Sequence, residues 1–269
     1  MANYKLYFSD MDNTLLPINT SILPDFTVRT IRKLNEKGLL FIPCTGRNIG
    51  TLPLNIGECN PRYAIVSCGA AIYDYQKQEY IYKSYLDKDT ALKLIDYFSK
   101  HYGVIVCFDD DSIYIDIKQL ETAKKEEGIR KILDFTKPVE NLREMICDGT
   151  IRTPKIVFKT RYEDQPGIME QAKKDFQKMH LTAFDKASIE ITNADVSKGL
   201  ALERLCEIIG VDKSQCIYSG DSDNDIDAMD KVGLSLAPAN AEDSVKEIAD
   251  VLCDDVRDEG VAKKLLEII

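Results

Sequence analysis

A chain of 269 residues, 44% hydrophobic and 30% charged, has the composition of a globular protein with room for one large or two small domains. Its formal charge of −10 excludes a nucleic-acid binder, which presents a net basic face. No apolar run approaches the roughly 18–20 residues of a membrane span.

The chain opens on an apolar run at residues 4–9, and this start is read as having no signal-peptide h-region. A helix is expected over 26–37, with Val28, Ile31 and Leu34 on one face and Gly38 as its stop. Strands follow at 39–43 and 64–67. Strand–helix–strand alternation of this kind implies a parallel sheet with helices on both faces. The end of the chain repeats the pattern. A helix over 198–209 leads to a strand at 216–219, a helix, a strand at 233–237, a helix near 241–249 and a short strand near 250–252.

The middle differs. A helix near 88–100 precedes β-rich stretches at 103–108 and 112–117, joined by Asp109-Asp110-Asp111. Polar sequence with helices fills 118–147, followed by a strand at 155–158, an amphipathic segment at 163–178 and strand-like pieces near 180–192. The fold class is therefore α/β: a doubly wound, Rossmann-like parallel-sheet core of residues 1–85 and 188–269, interrupted by an inserted α/β domain over 86–187.

Carboxylates gather at the ends of two of the core strands. Asp10 and Asp12 close the first apolar run, in Asp10-Met11-Asp12-Asn13-Thr14-Leu15. Asp221 opens a second acidic turn, Gly220-Asp221-Ser222-Asp223-Asn224-Asp225, after Cys216–Ser219. Buried carboxylates are costly unless paired, hydrogen-bonded or bound to metal, and oxygen-only ligands suit a hard cation such as Mg²⁺. A carboxylate metal site with a second carboxylate two residues along suggests phosphoryl transfer through an aspartyl-phosphate. The glycine and distal glutamate spacing of an EF-hand is not met.

Two further segments suit a phosphate. Thr45-Gly46-Arg47 combines a hydroxyl, an approachable backbone and a guanidinium at a strand end. Ser197 is placed as the N-cap of the helix that Lys198 opens. A lysine there opposes the macrodipole; a solvated surface lysine is the commoner case, and a nearby anion would explain the placement. Eight scattered cysteines without a Cys-x-x-Cys pair read as reduced core residues, and the two histidines lack cysteine partners at zinc spacing. A cytoplasmic location is expected.

These segments, in this order, resemble the haloacid dehalogenase superfamily, and most closely its Cof-type phosphatases with a type IIB cap. The matching segments are Asp10–Leu15, Thr45-Gly46-Arg47, Ser197-Lys198-Gly199 and Gly220–Asp225 with Met229 downstream; Ala239-Asn240-Ala241 and Asp258–Ala262 also look like the subfamily. Asn13 stands where the family usually has glycine, and Cys68 where this subfamily usually has asparagine.

The resemblance implies that Asp10 attacks phosphorus and that Asp12 is the acid and base. It implies that Mg²⁺ lies between the Asp10 carboxylate, the Asp12 backbone carbonyl and Asp221, with a water held by Asp225. It implies that Thr45, Gly46, Lys198 and Asn224 bind phosphoryl oxygens, with Arg47 at the pocket edge. The expected function is Mg²⁺-dependent hydrolysis of small phosphorylated metabolites, sugar phosphates foremost. The alternatives are a phosphosugar mutase and a non-catalytic metabolite-binding regulatory protein on the same fold. No nucleic acid, membrane or obligate protein partner is expected.

Overall fold

The first apolar run becomes strand β1 (Leu6–Ser9), buried at every position, in a computed structural model that describes residues 4–17, 20–125, 130–183 and 185–268. Parallel partners flank it on both sides: β2 (Leu40–Pro43) pairs Leu40 with Leu6, and β12 (Cys216–Ser219) pairs Cys216 with Leu6. The sheet continues through β13 (Leu234–Pro238) and β14 (Val251–Cys253), in the order β14-β13-β12-β1-β2. Phe8 and Ile42 pack with Leu202 and Leu205 of the helix Lys198–Ile209 on one face. Tyr7 and Phe41 pack with Val28, Ile31 and Leu34 of the helix Asp25–Glu36, and with Val261 and Leu265 of the helix Gly260–Ile268, on the other. Helices on both faces explain why β1 and β12 are buried at every position rather than at alternate ones.

The helix Asp25–Glu36 stops where expected. Gly38 takes φ +87° and Leu39 N donates to Leu34 O at 3.0 Å, a left-handed closure that glycine adopts without steric cost. The next expected strand departs from the parallel pattern. Strand β3 (Tyr63–Val66) touches β2 through a parallel bridge, Cys44 with Ile65, and then forms an antiparallel sheet with β4 (Ala71–Asp74) and β5 (Glu79–Lys83).

Two compact units result: Met1–Tyr82 with Ser197–Ile269, and Lys83–Val196. The second unit contains β6 (Val104–Phe108), β7 (Ile113–Asp116), β8 (Thr136–Val139), β9 (Ile156–Lys159), β10 (Met179–Thr182) and β11 (Ser188–Asn193), in the order β10-β11-β9-β6-β7-β8. It therefore runs on to Val196 instead of ending at 187, because β11 pairs with both β9 and β10. Its strands alternate. Ile105 and Cys107 pack against Leu94 and Phe98 of the helix Lys88–Phe98, whereas Val104, Val106 and Phe108 form a separate cluster with Ile113, Ile115 and Val157. Among the described residues, no helix is long and apolar enough to cross a membrane.

Candidate active site at the carboxyl ends of the core strands

The chain leaves β1 for β2 on one side and reaches β12 on the other, so the strand order reverses beside β1. Ligands of open α/β sheets gather at that reversal, outside the carboxyl ends of the strands. Backbone bonds extend the pairing past the strand ends. Asp10 N donates to Ser219 O at 2.8 Å, and Cys44 N donates to Ser9 O at 2.7 Å. Asp10 is thereby brought beside Gly220-Asp221, with Thr45-Gly46-Arg47 on its other flank. The turn after β1 closes tightly: Asn13 takes φ +60°, and Leu15 N and Leu16 N both donate to Met11 O. Asparagine tolerates that left-handed conformation better than most residues, which accounts for its place where the family uses glycine.

Asp10, Asp221 and Asp225 converge, each offering an oxygen within 4.8 Å of the others, and all three are buried. The Lys198 ammonium joins them. Its Nζ donates to Asp10 Oδ1 and to Asp225 Oδ1, at 2.7 Å each, with the lysine side chain only 2% exposed. Ser197 caps the helix as expected, its Oγ accepting from Leu200 N at 3.1 Å. The two carboxylates offset the unfavourable helix-end position of Lys198.

Three buried carboxylates against one ammonium leave negative charge uncompensated. Burial, opposed by Lys198 and reinforced by Asp225 and Asp12, pushes the Asp10 carboxyl up to about 7. Burial, reinforced by Asp10 and Asp225, pushes Asp221 up to about 9.

Asp225 is the hub. Its Oδ1 accepts from Lys198 Nζ and from Tyr218 OH at 2.7 Å, and its Oδ2 accepts from Asp221 N at 3.1 Å and Ser222 N at 3.2 Å. Gly220 is required for this packing, since a Cβ there would lie 2.4 Å from Asp225 Cβ. Among the described residues, Oδ2 of Asp10 and Oδ2 of Asp221 accept no hydrogen bond, while Asp221 Oδ1 accepts from Thr14 Oγ1 at 2.9 Å. Two neighbouring carboxylate oxygens with open lone pairs, in an oxygen-only donor set of excess negative charge, fit a hard divalent cation. The five bonds to Asp225, the fifth from Ser222 Oγ to Oδ2 at 3.4 Å, fit a residue that orients its neighbours.

The side chain of Asp12 lies outside this cluster. Arg47 holds it by two bonds, Nε to Oδ2 at 2.8 Å and NH2 to Oδ1 at 2.7 Å, and is itself anchored by NH1 donating to Thr51 O at 2.7 Å. Thr45 is buried, its Oγ1 accepting from Arg47 N at 3.2 Å. Gly46 is half-buried in the bend between them. Asn224 is also half-buried, and its Oδ1 accepts from Ser222 Oγ at 3.1 Å, which leaves its NH2 group as a donor.

Several supporting residues lie outside the sequence expectations. Tyr218 sits two residues before Gly220, as a phenol in a buried strand, and that contrast is its only sequence signal. Thr14 belongs to the first acidic turn. Ser9 and Ser219 bond to each other at 2.7 Å, Tyr7 OH lies 2.8 Å from Ser219 Oγ, and Ser9 Oγ donates to Asp10 O at 2.6 Å. This buried chain fixes the backbone that presents Asp10.

The fold and this constellation define a Rossmann-like α/β protein with an inserted domain and a buried carboxylate–lysine site at its strand ends. The haloacid dehalogenase-like hydrolase family matches residues 7–265, and the chain belongs to it. It is similar to the 5-amino-6-(5-phospho-D-ribitylamino)uracil phosphatase YcsE of Bacillus subtilis, with 25% identity over 98% of this chain and 95% of that protein. The solved structure of TM0651 from Thermotoga maritima superposes with a TM-score of 0.80 at 25% identity, over 99% of this chain and 98% of that one. The HAD subclass IIB sugar phosphatase BT4131 superposes with a TM-score of 0.81 at 19% identity, over 98% of each chain. The protein is thus an enzyme of the hydrolase class, with relatives named as phosphatases.

Proposed function

We propose that this enzyme hydrolyses small phosphomonoesters, sugar phosphates foremost, through an aspartyl-phosphate on Asp10. The observation that carries this reading is the convergence of Asp10, Asp221 and Asp225 on the Lys198 ammonium at the carboxyl ends of β1 and β12. A protein that only binds a metabolite has no need of a buried, lysine-paired carboxylate with one open oxygen. The names of YcsE and BT4131 support a polyhydroxylated phosphate ester as substrate. Eight free cysteines suit a reducing cytoplasm.

In the first step an Asp10 oxygen attacks phosphorus and the bond to the leaving oxygen breaks, while Asp12 gives that oxygen its proton. In the second step Asp12 takes a proton from water, the water oxygen attacks phosphorus, and the bond to Asp10 breaks. Splitting one displacement into two makes a weak nucleophile sufficient. Lys198, Thr45, the Gly46 backbone and the Asn224 amide stabilise charge on the transferring group. Asp10, Asp221 and the Asp12 carbonyl would hold Mg²⁺, with Asp225 orienting a water. When bound, the cation offsets repulsion between the carboxylate and the phosphate dianion. Both oxygens of Asp12 are engaged by Arg47, so proton transfer requires that pair to loosen, and a phosphate dianion is a natural second partner for the guanidinium.

Asp12→Asn protein should therefore accumulate phosphorylated enzyme and lose turnover by about 10²–10⁴, the range for general acid–base catalysis. A stopped-flow burst of leaving group followed by slow phosphate release checks this. Full steady-state activity would remove Asp12 from the mechanism.

The raised carboxyls of Asp10 and Asp221 set a pH dependence for the metal-free protein. A carboxyl raised on folding adds stability that is complete below its unfolded value, near 4, and is lost as pH rises through the folded value. Metal-free protein should melt lower at pH 9 than at pH 6, across the window set by values of about 7 and about 9. Mg²⁺ should raise the melting temperature more at pH 9 than at pH 6. Differential scanning fluorimetry with EDTA and with Mg²⁺ reads both effects.

The activity itself is tested by phosphate release from a panel of sugar, polyol, nucleotide and pyridoxal phosphates, with Mg²⁺ or EDTA. Mg²⁺-dependent release is the expected result. Interconversion of phosphosugars without release would favour a mutase, and tight binding without turnover a regulatory protein.

A further inference from the structure

The helix that Lys198 opens and the strand that leads to Asp221 also carry a pair of thiols outside the reaction just described. The Sγ atoms of Cys206 and Cys216 lie 3.6 Å apart, and both residues are free cysteines. We propose that Cys206 and Cys216 are a redox modification site, oxidised by hydrogen peroxide to a disulfide and reopened by thiols.

Both backbones are fixed with the sulfurs already facing. Cys206 O accepts from Val211 N at 3.0 Å, closing the helix around Gly210, whose φ is +69°. The chain then makes a 3₁₀ turn at Lys213–Gln215 and enters β12 at Cys216. Cys216 is held opposite Leu6 of β1, and its carbonyl accepts from Gly233 N at 3.1 Å. Bond formation needs the sulfurs to approach by roughly 1.5 Å, to a length near 2.05 Å.

The surroundings assign the roles. The hydrogen bond shared with Cys216 lowers the Cys206 thiol below its ordinary range, with help from the Lys213 ammonium and against burial, Asp212 and Glu203. The Cys216 thiol is held up by that same bond and by burial, and Asp212 O, 3.7 Å from its Sγ, is an alternative acceptor for its one proton. The thiolate is the nucleophile, so Cys206 reacts first. Its sulfur attacks one peroxide oxygen, the O–O bond breaks, and hydroxide leaves, giving a sulfenic acid. The Cys216 sulfur then attacks the Cys206 sulfur, the S–O bond breaks, and the departing hydroxide takes the Cys216 proton to leave as water. Overall two thiols and one hydrogen peroxide give one disulfide and two waters.

Burial selects the oxidant. Cys206 is 2% exposed and Cys216 is fully buried, whereas Cys147 is exposed. A small peroxide suits the pair, and a bulky disulfide such as oxidised glutathione suits Cys147. The bridge would form at the end of β12 opposite Gly220-Asp221, so turnover should survive it.

The test uses full-length Cys147→Ser protein, treated with hydrogen peroxide, alkylated and digested with trypsin without reduction. Cleavage after Arg204, Lys213 and Lys231 separates Cys206 and Cys216 onto two peptides with one cysteine each. The expected product is the linked pair of peptides 205–213 and 214–231, two hydrogens lighter than their sum and separated by dithiothreitol. Cys206→Ser and Cys216→Ser proteins should each lack it, and oxidised glutathione should not produce it in wild type. Peroxide consumption of thiols without the linked peptides would overturn the proposal, as would over-oxidation of either cysteine that dithiothreitol cannot reverse. Because the readout is a mass, it stands apart from the phosphatase reading.

Discussion

Asp10→Asn protein should fold, bind Mg²⁺ weakly and release no phosphate above background. The expected fall in kcat is on the order of 10⁴–10⁶, the scale on which removal of a covalent nucleophile acts. Folding should survive because the amide oxygen of the variant can still accept from Lys198 Nζ, which bonds Asp10 Oδ1 at 2.7 Å in the wild type. The change also removes one of three crowded carboxylates, so the metal-free variant should melt no lower than the wild type. Melting temperature and phosphate release measured on the same preparation separate a lost nucleophile from a lost fold. Turnover equal to wild type in a folded variant would exclude Asp10 as the nucleophile.

Lys198→Met protein should lose both activity and stability. Its ammonium is the cation that faces Asp10 and Asp225 across 2.7 Å contacts, nearly sealed from water. Removing one partner of a buried ion pair costs about 3–5 kcal/mol, because the remaining charge stays buried. The carboxylates can relieve part of that cost by taking up protons, so the melting temperature should drop more at pH 9 than at pH 6. Mg²⁺ should recover part of the stability but little of the activity. The turnover loss should reach at least about 10²–10³, as for a lost oxyanion donor. Lys198→Arg should remain impaired, since a planar guanidinium does not fit a pocket shaped for a compact ammonium. A folded Lys198→Met enzyme with wild-type kcat would contradict the assigned role.

Both predictions concern residues visible in the sequence, and the reason is physical. Carboxylates that end a largely apolar, fully buried strand are placed at the carboxyl edge of a parallel sheet by the strand itself. A lysine just after an N-cap serine is likewise placed by its helix. Gly38 and Ser197 act locally too, through one φ angle and one capping bond. Other features depend on partners distant in the chain. The hairpin of β4 and β5 lacks a glycine at its turn. Asp74 Oδ1 instead accepts from Gln76 N at 2.9 Å and Lys77 N at 3.0 Å, and Gln78 takes φ +55°. Strand β8 contains Pro138, which weakens any strand pattern, and it is tolerated at the edge beside β7. The extent of the inserted unit depends on β11 finding β9 and β10, a choice that the run Ser188–Asn193 does not encode alone. Tyr218 reads as one more buried aromatic until the fold brings its hydroxyl to Asp225.

The covalent step is tested most directly by trapping it. Asp12→Asn protein with Mg²⁺ and acetyl phosphate or p-nitrophenyl phosphate is quenched in acid within one turnover, and its peptides are mapped by mass. The account predicts one phosphoryl group on the peptide that contains Asp10 and none when Asp10→Asn is added to the same protein. Phosphate release that proceeds in the wild type with no phosphorylated Asp10 in any quenched sample would contradict it, and would point to direct attack by water.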